Sequence, residues 1–208
     1  MSRGLFITFE GGEGAGKSTQ IRRLAARLEA GREVVVTREP GGSPGAEAIR
    51  GLLVSGAADR WSAISEALLM NAARRDHVEK LIAPALDRGA IVLCDRFADS
   101  TRAYQGAAGG APHDLIDALE TAAVGEFCPD LTLVLDLPID IGLARADTLG
   151  GQEARFEGKG AAFHAAIRKA FLDIAAAEPH RCVVVDASRS EDAVAEAVWA
   201  AVQTRVAV

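Results

Sequence analysis

Gly11-Gly12-Glu13-Gly14-Ala15-Gly16-Lys17-Ser18 fits the pattern G-x-x-x-x-G-K-[ST] at every specified position. The residues before it, Leu5-Phe6-Ile7-Thr8-Phe9, form a short β-branched and aromatic run that reads as a buried strand. After it, Ile21, Leu24, Ala25 and Leu28 recur at helical spacing until Gly31 supplies a stop. Strand, glycine loop and helix in that order are what the pattern needs. The glycines let backbone N–H groups turn inward around phosphate oxygens, and the helix N-terminus adds the positive end of its dipole. Lys17 then reaches the β- and γ-phosphates, and the Ser18 hydroxyl is placed to ligate Mg²⁺. The stretch predicts a nucleoside triphosphate site in an α/β protein.

Outward from this loop, the chain is bounded by its composition. Its 208 residues suit one α/β domain, and 49% hydrophobic with 25% charged residues is ordinary for a globular protein. No apolar run approaches the ~18 residues that span a bilayer. The first strand begins within a few residues of Met1, which leaves no room for a signal peptide. Cys94, Cys128 and Cys182 lack metal-ligand spacing and read as reduced core thiols, so the expected location is the cytoplasm. A net charge of −6 gives no overall basic field for nucleic acid. An anionic substrate must instead meet positive charge gathered locally.

Four further apolar runs read as strands: Val34-Val35-Val36-Thr37, Ala90-Ile91-Val92-Leu93-Cys94, Leu131-Thr132-Leu133-Val134-Leu135-Asp136, and residues 181–186. Helical patterns separate them, over residues 46–54 with Arg50, 62–86, 112–127, 139–146 with Arg145, Ala161–Ala177 and 190–202. In the longest, Ile64, Leu68, Leu69, Ala72, Val78, Leu81 and Ile82 form the expected apolar stripe, and Arg74 and Arg75 read as solvated or as ligand-binding. The alternation predicts a P-loop fold with a five-stranded parallel sheet flanked by helices.

Two strand ends carry chemistry. The second strand runs into Arg38-Glu39-Pro40-Gly41-Gly42, a charged turn of the kind found where strands end at a ligand cleft. The third ends in Asp95-Arg96. A hydrolase of this class needs a carboxylate to activate water. Here the aspartate is followed by a phosphate-binding cation, which fits transfer to an acceptor better than hydrolysis. Ser100-Thr101-Arg102-Ala103-Tyr104-Gln105-Gly106 then supplies hydroxyls, a ring and an amide, suited to reading a base edge from a polar loop. Late in the chain, residues 147–160 combine Gly150, Gly151, Gly158 and Gly160 with Arg155 and Lys159 and read as a mobile segment between helices.

Phe9-Glu10-Gly11-x-Glu13-Gly14-Ala15-Gly16-Lys17-Ser18, Thr37-Arg38-Glu39-Pro40-Gly41-Gly42, Asp95-Arg96-Phe97 and Ser100-Thr101-x-Ala103-Tyr104-Gln105-Gly106 together closely resemble bacterial thymidylate kinases. Pro129-Asp130-Leu131-Thr132, Arg155-Phe156-Glu157 and Phe163-His164 extend the resemblance over nearly the whole chain. The resemblance implies ATP-dependent, Mg²⁺-assisted phosphorylation of dTMP to dTDP by a homodimer. It implies an ATP set of residues 11–18 with Thr19 and Arg145, and a metal set of Ser18 and Asp95. By the same resemblance Glu13 sits near the acceptor sugar and phosphate, Arg96, Arg38 and Glu39 lie by that phosphate, and Pro40 and Arg50 belong to the acceptor set. Arg74 would touch the thymine edge, Thr101 and Gln105 would read the base, and Tyr104 would crowd the 2′ position. Lys17, Glu13, Arg96 and the lid residue Arg155 would be catalytic. The Glu39-Pro40 bond is expected to be cis. Two features depart from relatives: Met70 stands where a base-stacking phenylalanine is usual, and Asp147 and Ala154 occupy the neighbourhood of a denser lid arginine set. Competing readings are a kinase for another small acceptor, a nucleotide switch and a DNA-associated ATPase.

Overall fold

A computed structural model describes residues 3–29, 31–57, 59–125, 127–149 and 159–205. Five strands, β1 (Leu5–Glu10), β2 (Val34–Arg38), β3 (Ile91–Asp95), β4 (Leu131–Asp136) and β5 (Cys182–Asp186), form one sheet in the order β2-β3-β1-β4-β5. All pairings are parallel, with Phe9 beside Asp95 and Leu133 and with Arg38 beside Asp95. The central strand carries the glycine loop. Successive connections leave it toward opposite edges, which opens a crevice at the carboxyl ends of the strands.

The period-two alternation of each strand sorts the core onto two faces. Ile7, Phe9, Leu93 and Leu133 face α1 (Lys17–Leu28) and α9 (Glu191–Arg205), meeting Ile21, Leu24, Leu28, Val194, Val198 and Val202. The other face of β1 carries Phe6, Thr8 and Glu10, so it is apolar at one end and polar at the crevice. Phe6 meets Ile82, Leu86, Phe97 and Val124. The Thr8 and Thr132 hydroxyls pair at 2.8 Å, and Val134 packs on Ile167 and Phe171 of α8 (Ala161–Ala177). Among the described residues no helix is long and apolar enough to cross a membrane.

The pattern over residues 62–86 is not one regular helix. It is α3 (Ala63–His77), a π-helical turn (Val78–Ile82) and α4 (Ala83–Asp87). Pro84 has no N–H and its ring excludes a regular bond to the carbonyl four residues back, so the ladder widens and Ala83 N–H reaches Val78 O instead. Nor does the expected stripe face the core throughout: Ile64 and Leu68 are 43% and 50% exposed, whereas Glu66, Asn71, Arg74 and His77 are buried. Residues 100–106 are helical rather than a loop, in α5 (Ala98–Thr101) and a second π-helical turn (Arg102–Ala108). Helix α2 (Pro44–Val54) begins earlier than expected because Pro44 supplies a preset first-turn φ. Among the described residues the remaining helices are α6 (His113–Val124) and α7 (Ile139–Leu149). All three cysteines are free, but only Cys94 and Cys182 are buried; Cys128 is exposed, just before β4.

Candidate active site

The loop after β1 closes tightly. Gly14 has φ 68, and a Cβ there would lie 2.1 Å from Gly142 O on α7, so only glycine fits. Gly16 caps α1 with φ 84. Lys17, the first helical residue, folds its Nζ back onto Gly11 O at 3.1 Å and Gly12 O at 3.0 Å, which holds the ammonium over the loop. Ala15 is buried in the core, and the Thr19 hydroxyl accepts a bond from Arg22 Nη2 at 3.4 Å.

Ser18 Oγ donates to Asp95 Oδ2 at 2.8 Å. A hydroxyl and a carboxylate, side by side at the end of β3 and the start of α1, form a hard-oxygen pair. That fits Mg²⁺, which takes one or two protein oxygens and fills its shell with phosphates and water.

On the β2–β3 side lies an open cavity of about 440 Å³, lined by Glu39, Pro40, Met70, Arg74, Arg96 and Tyr104, with Val54, Phe97, Ser100, Thr101 and Gln105 completing the wall. Arg96 sits where β3 ends, with φ 68, the sole non-glycine left-handed residue among those described. Its N–H bonds Phe9 O at 2.9 Å. The guanidinium reaches Gly11 O at 3.1 Å and Glu13 Oε1 at 3.0 Å and lies 4.8 Å from the Tyr104 ring centroid. Tyr104 OH also donates to Glu13 Oε1, at 2.7 Å. Burial alone would raise the Glu13 pKa, but Arg96, Lys17, the Tyr104 hydroxyl and His164 outweigh it and hold the carboxyl below its usual range.

Opposite stands a buried polar cluster. The Glu39-Pro40 bond is cis, as the motif predicts. Glu39 Oε2 accepts from Arg74 Nε at 2.8 Å, and Oε1 lies 3.0 Å from His77 Nδ1. Arg74 Nη1 bonds Asn71 Oδ1, and Nη2 bonds Phe97 O and Thr101 Oγ1. Gln105 Nε2 donates to Glu66 Oε2 at 2.9 Å. Neither arginine of the α3 pair is simply solvated: Arg74 is an internal brace on the cavity wall, while the more exposed Arg75 pairs with Glu79. Met70 lines the cavity, where the resemblance put a base-facing residue.

Other expected residues lie further out. Arg38 is half-exposed and bonds Glu47 at 3.0 and 3.1 Å rather than lining the cavity. Arg50 Nη1 holds Pro40 O at 2.8 Å, supporting the turn from outside. Arg145, on α7, reaches Ala187 O beyond β5 at 3.4 Å. Arg155 and Ala154 lie outside the described residues.

Glu10 is a member that the sequence reading did not single out. It is fully buried, accepts from Phe97 N at 2.7 Å and Ser100 Oγ at 2.6 Å, and thereby fastens the turn that carries Arg96. Burial, then the nearby Asp99, push its pKa up to about 8 against the opposing effect of these bonds and Arg96. The available signal was a lone acid closing a buried strand. Glu66, Asn71 and His77 gave none, because isolated polar residues on a helix read as solvent-facing.

Residues 9–198 match the family model described as "Thymidylate kinase". The chain belongs to the thymidylate kinase family. This family phosphorylates dTMP to dTDP with ATP. A thymidylate kinase of Caulobacter vibrioides is 66% identical over 199 residues, 95% of each chain. One from Rhodopseudomonas palustris is 57% identical over 208 residues, covering 98% of this chain and 90% of the other. The crystal structure of thymidylate kinase from Ehrlichia chaffeensis superposes with a TM-score of 0.77 at 36% identity, over 95% of this chain and 98% of that one. The sheet described above is therefore the family's fold.

Proposed function

We propose that this chain converts dTMP and ATP to dTDP and ADP with the following division of labour. ATP phosphates lie along residues 11–19 with Lys17 over them, and Arg145 stands by the nucleotide. dTMP occupies the front cavity, its base among Met70, Thr101 and Gln105 and beside Arg74, its deoxyribose against Tyr104. The one observation that carries the reading is Arg96: a single guanidinium touches the phosphate loop at Gly11 O and lines the adjoining cavity. A cation in that position aligns an acceptor phosphate with the triphosphate, and alignment is most of what phosphoryl transfer requires. No general base is needed, because the acceptor phosphate oxygen is already ionised at neutral pH. Glu13 fixes the fork of Arg96 and keeps Tyr104 in place. Ser18 and Asp95 would hold Mg²⁺, which when bound neutralises charge on the phosphate oxygens.

Arg38 and Arg50 support the Glu39-Pro40 turn, and Arg155 brings the lid's cation to the transferring group. The chain works as one domain, with its phosphate loop at 11–18 and its lid at about 147–160. Exposed Leu52, Ile64 and Leu68 on α2 and α3 support a homodimer through that face. A reaction between two small nucleotides supports a cytoplasmic enzyme.

ADP release should depend on acceptor, fastest with dTMP, slower with dUMP, and near background with dCMP, dGMP and AMP. The thymine methyl contributes ~1–3 kcal/mol where it fills apolar volume. Equal turnover of dTMP and a purine monophosphate, or acceptor-independent hydrolysis, would refute the assignment. Arg155→Ala should lower kcat by ~10³ or more with little change in the dTMP dissociation constant, because a lid cation acts on the transition state. Near-normal kcat would move that role to Lys159 or Arg145.

A further inference from the structure

Behind the phosphate loop lies a second cavity, floored by Gly11, Gly12 and Glu13 of that loop, whose other walls the phosphotransfer reading does not use. It measures about 420 Å³ and opens to solvent between the end of β4, α7 and α8. It is close in size to the front cavity, which measures about 440 Å³ and is likewise open to solvent. Leu137, Leu143 and Phe171 make the rear cavity mainly apolar. Into this wall is set His164, only 6% exposed, whose Nε2 is buried and has no hydrogen-bond partner among the described residues. A buried nitrogen without a partner costs about 1–3 kcal/mol, so its persistence calls for an explanation.

The surrounding charges define what such a nitrogen would meet. Arg168 and Asp136 close a fork on each other at 2.7 and 2.9 Å, and Glu13 contributes a carboxylate at the loop side. Asp136 and Arg168 neutralise each other, and the Glu13 carboxylate is already bonded by Arg96 and Tyr104, so an ion entering the cavity would compete with pairs already made. A neutral molecule meets no such competition. Two ring systems, Phe171 and His164, line the cavity and favour a flat one.

The two cavities are separated by side chains in direct contact with one another. Phe171 lines the rear and lies edge-on to Tyr104, centroids 6.4 Å apart, while Tyr104 lines the front. Glu13 lines the rear and bonds both Tyr104 and Arg96, which line the front. His164 stacks edge-on against Phe163, and Phe163 against Tyr104. We propose that the rear cavity is a second small-molecule site, taking a neutral planar heterocycle whose hydrogen-bonding edge pairs with His164 Nε2, and that its occupancy is transmitted to the front cavity through Glu13 and Tyr104.

Benzimidazole is a suitable probe, since it is neutral above pH 7 and carries a donor and an acceptor on one edge, matching either tautomer of His164. It is titrated into the intact chain, first without nucleotide so that the result does not rest on the assignment of the front cavity. The His164 ring signal, identified among four histidines by its loss in His164→Phe, should shift saturably, and that variant should bind at least about tenfold more weakly. Leu143→Trp, which fills the cavity from its rim, should abolish binding while keeping a cooperative melt. With the probe bound, the dTMP dissociation constant should change at least about twofold, and dTMP should change the probe's by the same factor. Displacement of the probe by dTMP would overturn the proposal, as would binding that survives both substitutions. An unshifted His164 signal up to the solubility limit would do the same, leaving Nε2 to an ordered water. Unchanged dTMP affinity would overturn the coupling.

Discussion

Helices α1 and α3 stand on either side of the nucleotide crevice and are built on opposite rules. Helix α1 buries Ile21, Leu24, Ala25 and Leu28 and, beyond Lys17 at its N-terminus, shows its charges to solvent. Helix α3 buries Glu66, Asn71, Arg74 and His77 and shows Ile64 and Leu68. The first is held by apolar burial and needs only its N-terminus for function. The second turns a polar face inward because that face is the wall of the front cavity, and leaves Ile64 and Leu68 exposed. Amphipathicity tells which face is apolar; it does not tell which face is inside.

The contrast can be broken most severely at Arg74. Arg74→Met removes one partner of a buried ion pair and leaves Glu39 only its contact with His77, so the folded state should lose about 3–5 kcal/mol in a denaturant titration, with dTMP binding lost as well. A loss below about 1 kcal/mol would mean that the cluster is hydrated rather than braced. On the other helix, Leu24→Ala should cost about 3 kcal/mol through the cavity it leaves, while nucleotide affinity measured on the folded protein stays near normal.

Glu10 tests the same point on a strand. Its folded pKa, near 8, lies above the ordinary carboxylate value, so the folded state binds the extra proton between about pH 4.5 and 8. Its contribution is therefore fully present below the unfolded pKa and is lost as pH rises through 8. Glu10→Gln should flatten the fall in Tm between pH 5 and 9, by a few degrees at the upper end. Parallel curves for the two proteins would contradict the burial argument. The smallest effect on the fold belongs to Leu68→Ser, within ~0.5 kcal/mol for an exposed site, yet it should shift sedimentation from dimer toward monomer. An unchanged sedimentation coefficient would remove Leu68 from the interface.

Where apolar period and glycine chemistry decide the structure, the sequence was a sufficient guide: all five strands, the phosphate loop and the Ser18–Asp95 pair lie where their residue patterns point. Family motifs added Glu39-Pro40, Arg96 and Tyr104. What escaped was the environment of polar side chains. Arg74 and Arg75 are adjacent and chemically identical, and only the direction of α3 buries one of them. Thr101 and Gln105 read as loop residues because short α5 and the π-helical turn after it are held by tertiary packing rather than by propensity. Cys128 read as core, although its strand begins three residues later. His164 lay within a recognised string, but no pattern of residues announces a missing hydrogen-bond partner.

The parallel sheet also sets the order in which this molecule can become itself. Phe6 N–H bonds the Asp130 carboxylate and the Thr8 hydroxyl meets Thr132, each across 124 residues of chain. The phosphate loop hangs from a strand whose neighbours β3 and β4 are made much later than the loop itself. Non-local pairing of this kind is slow and leaves strand edges open in the meantime. The phosphate loop is thus made before the strands that flank it, and takes its final shape only once they have emerged.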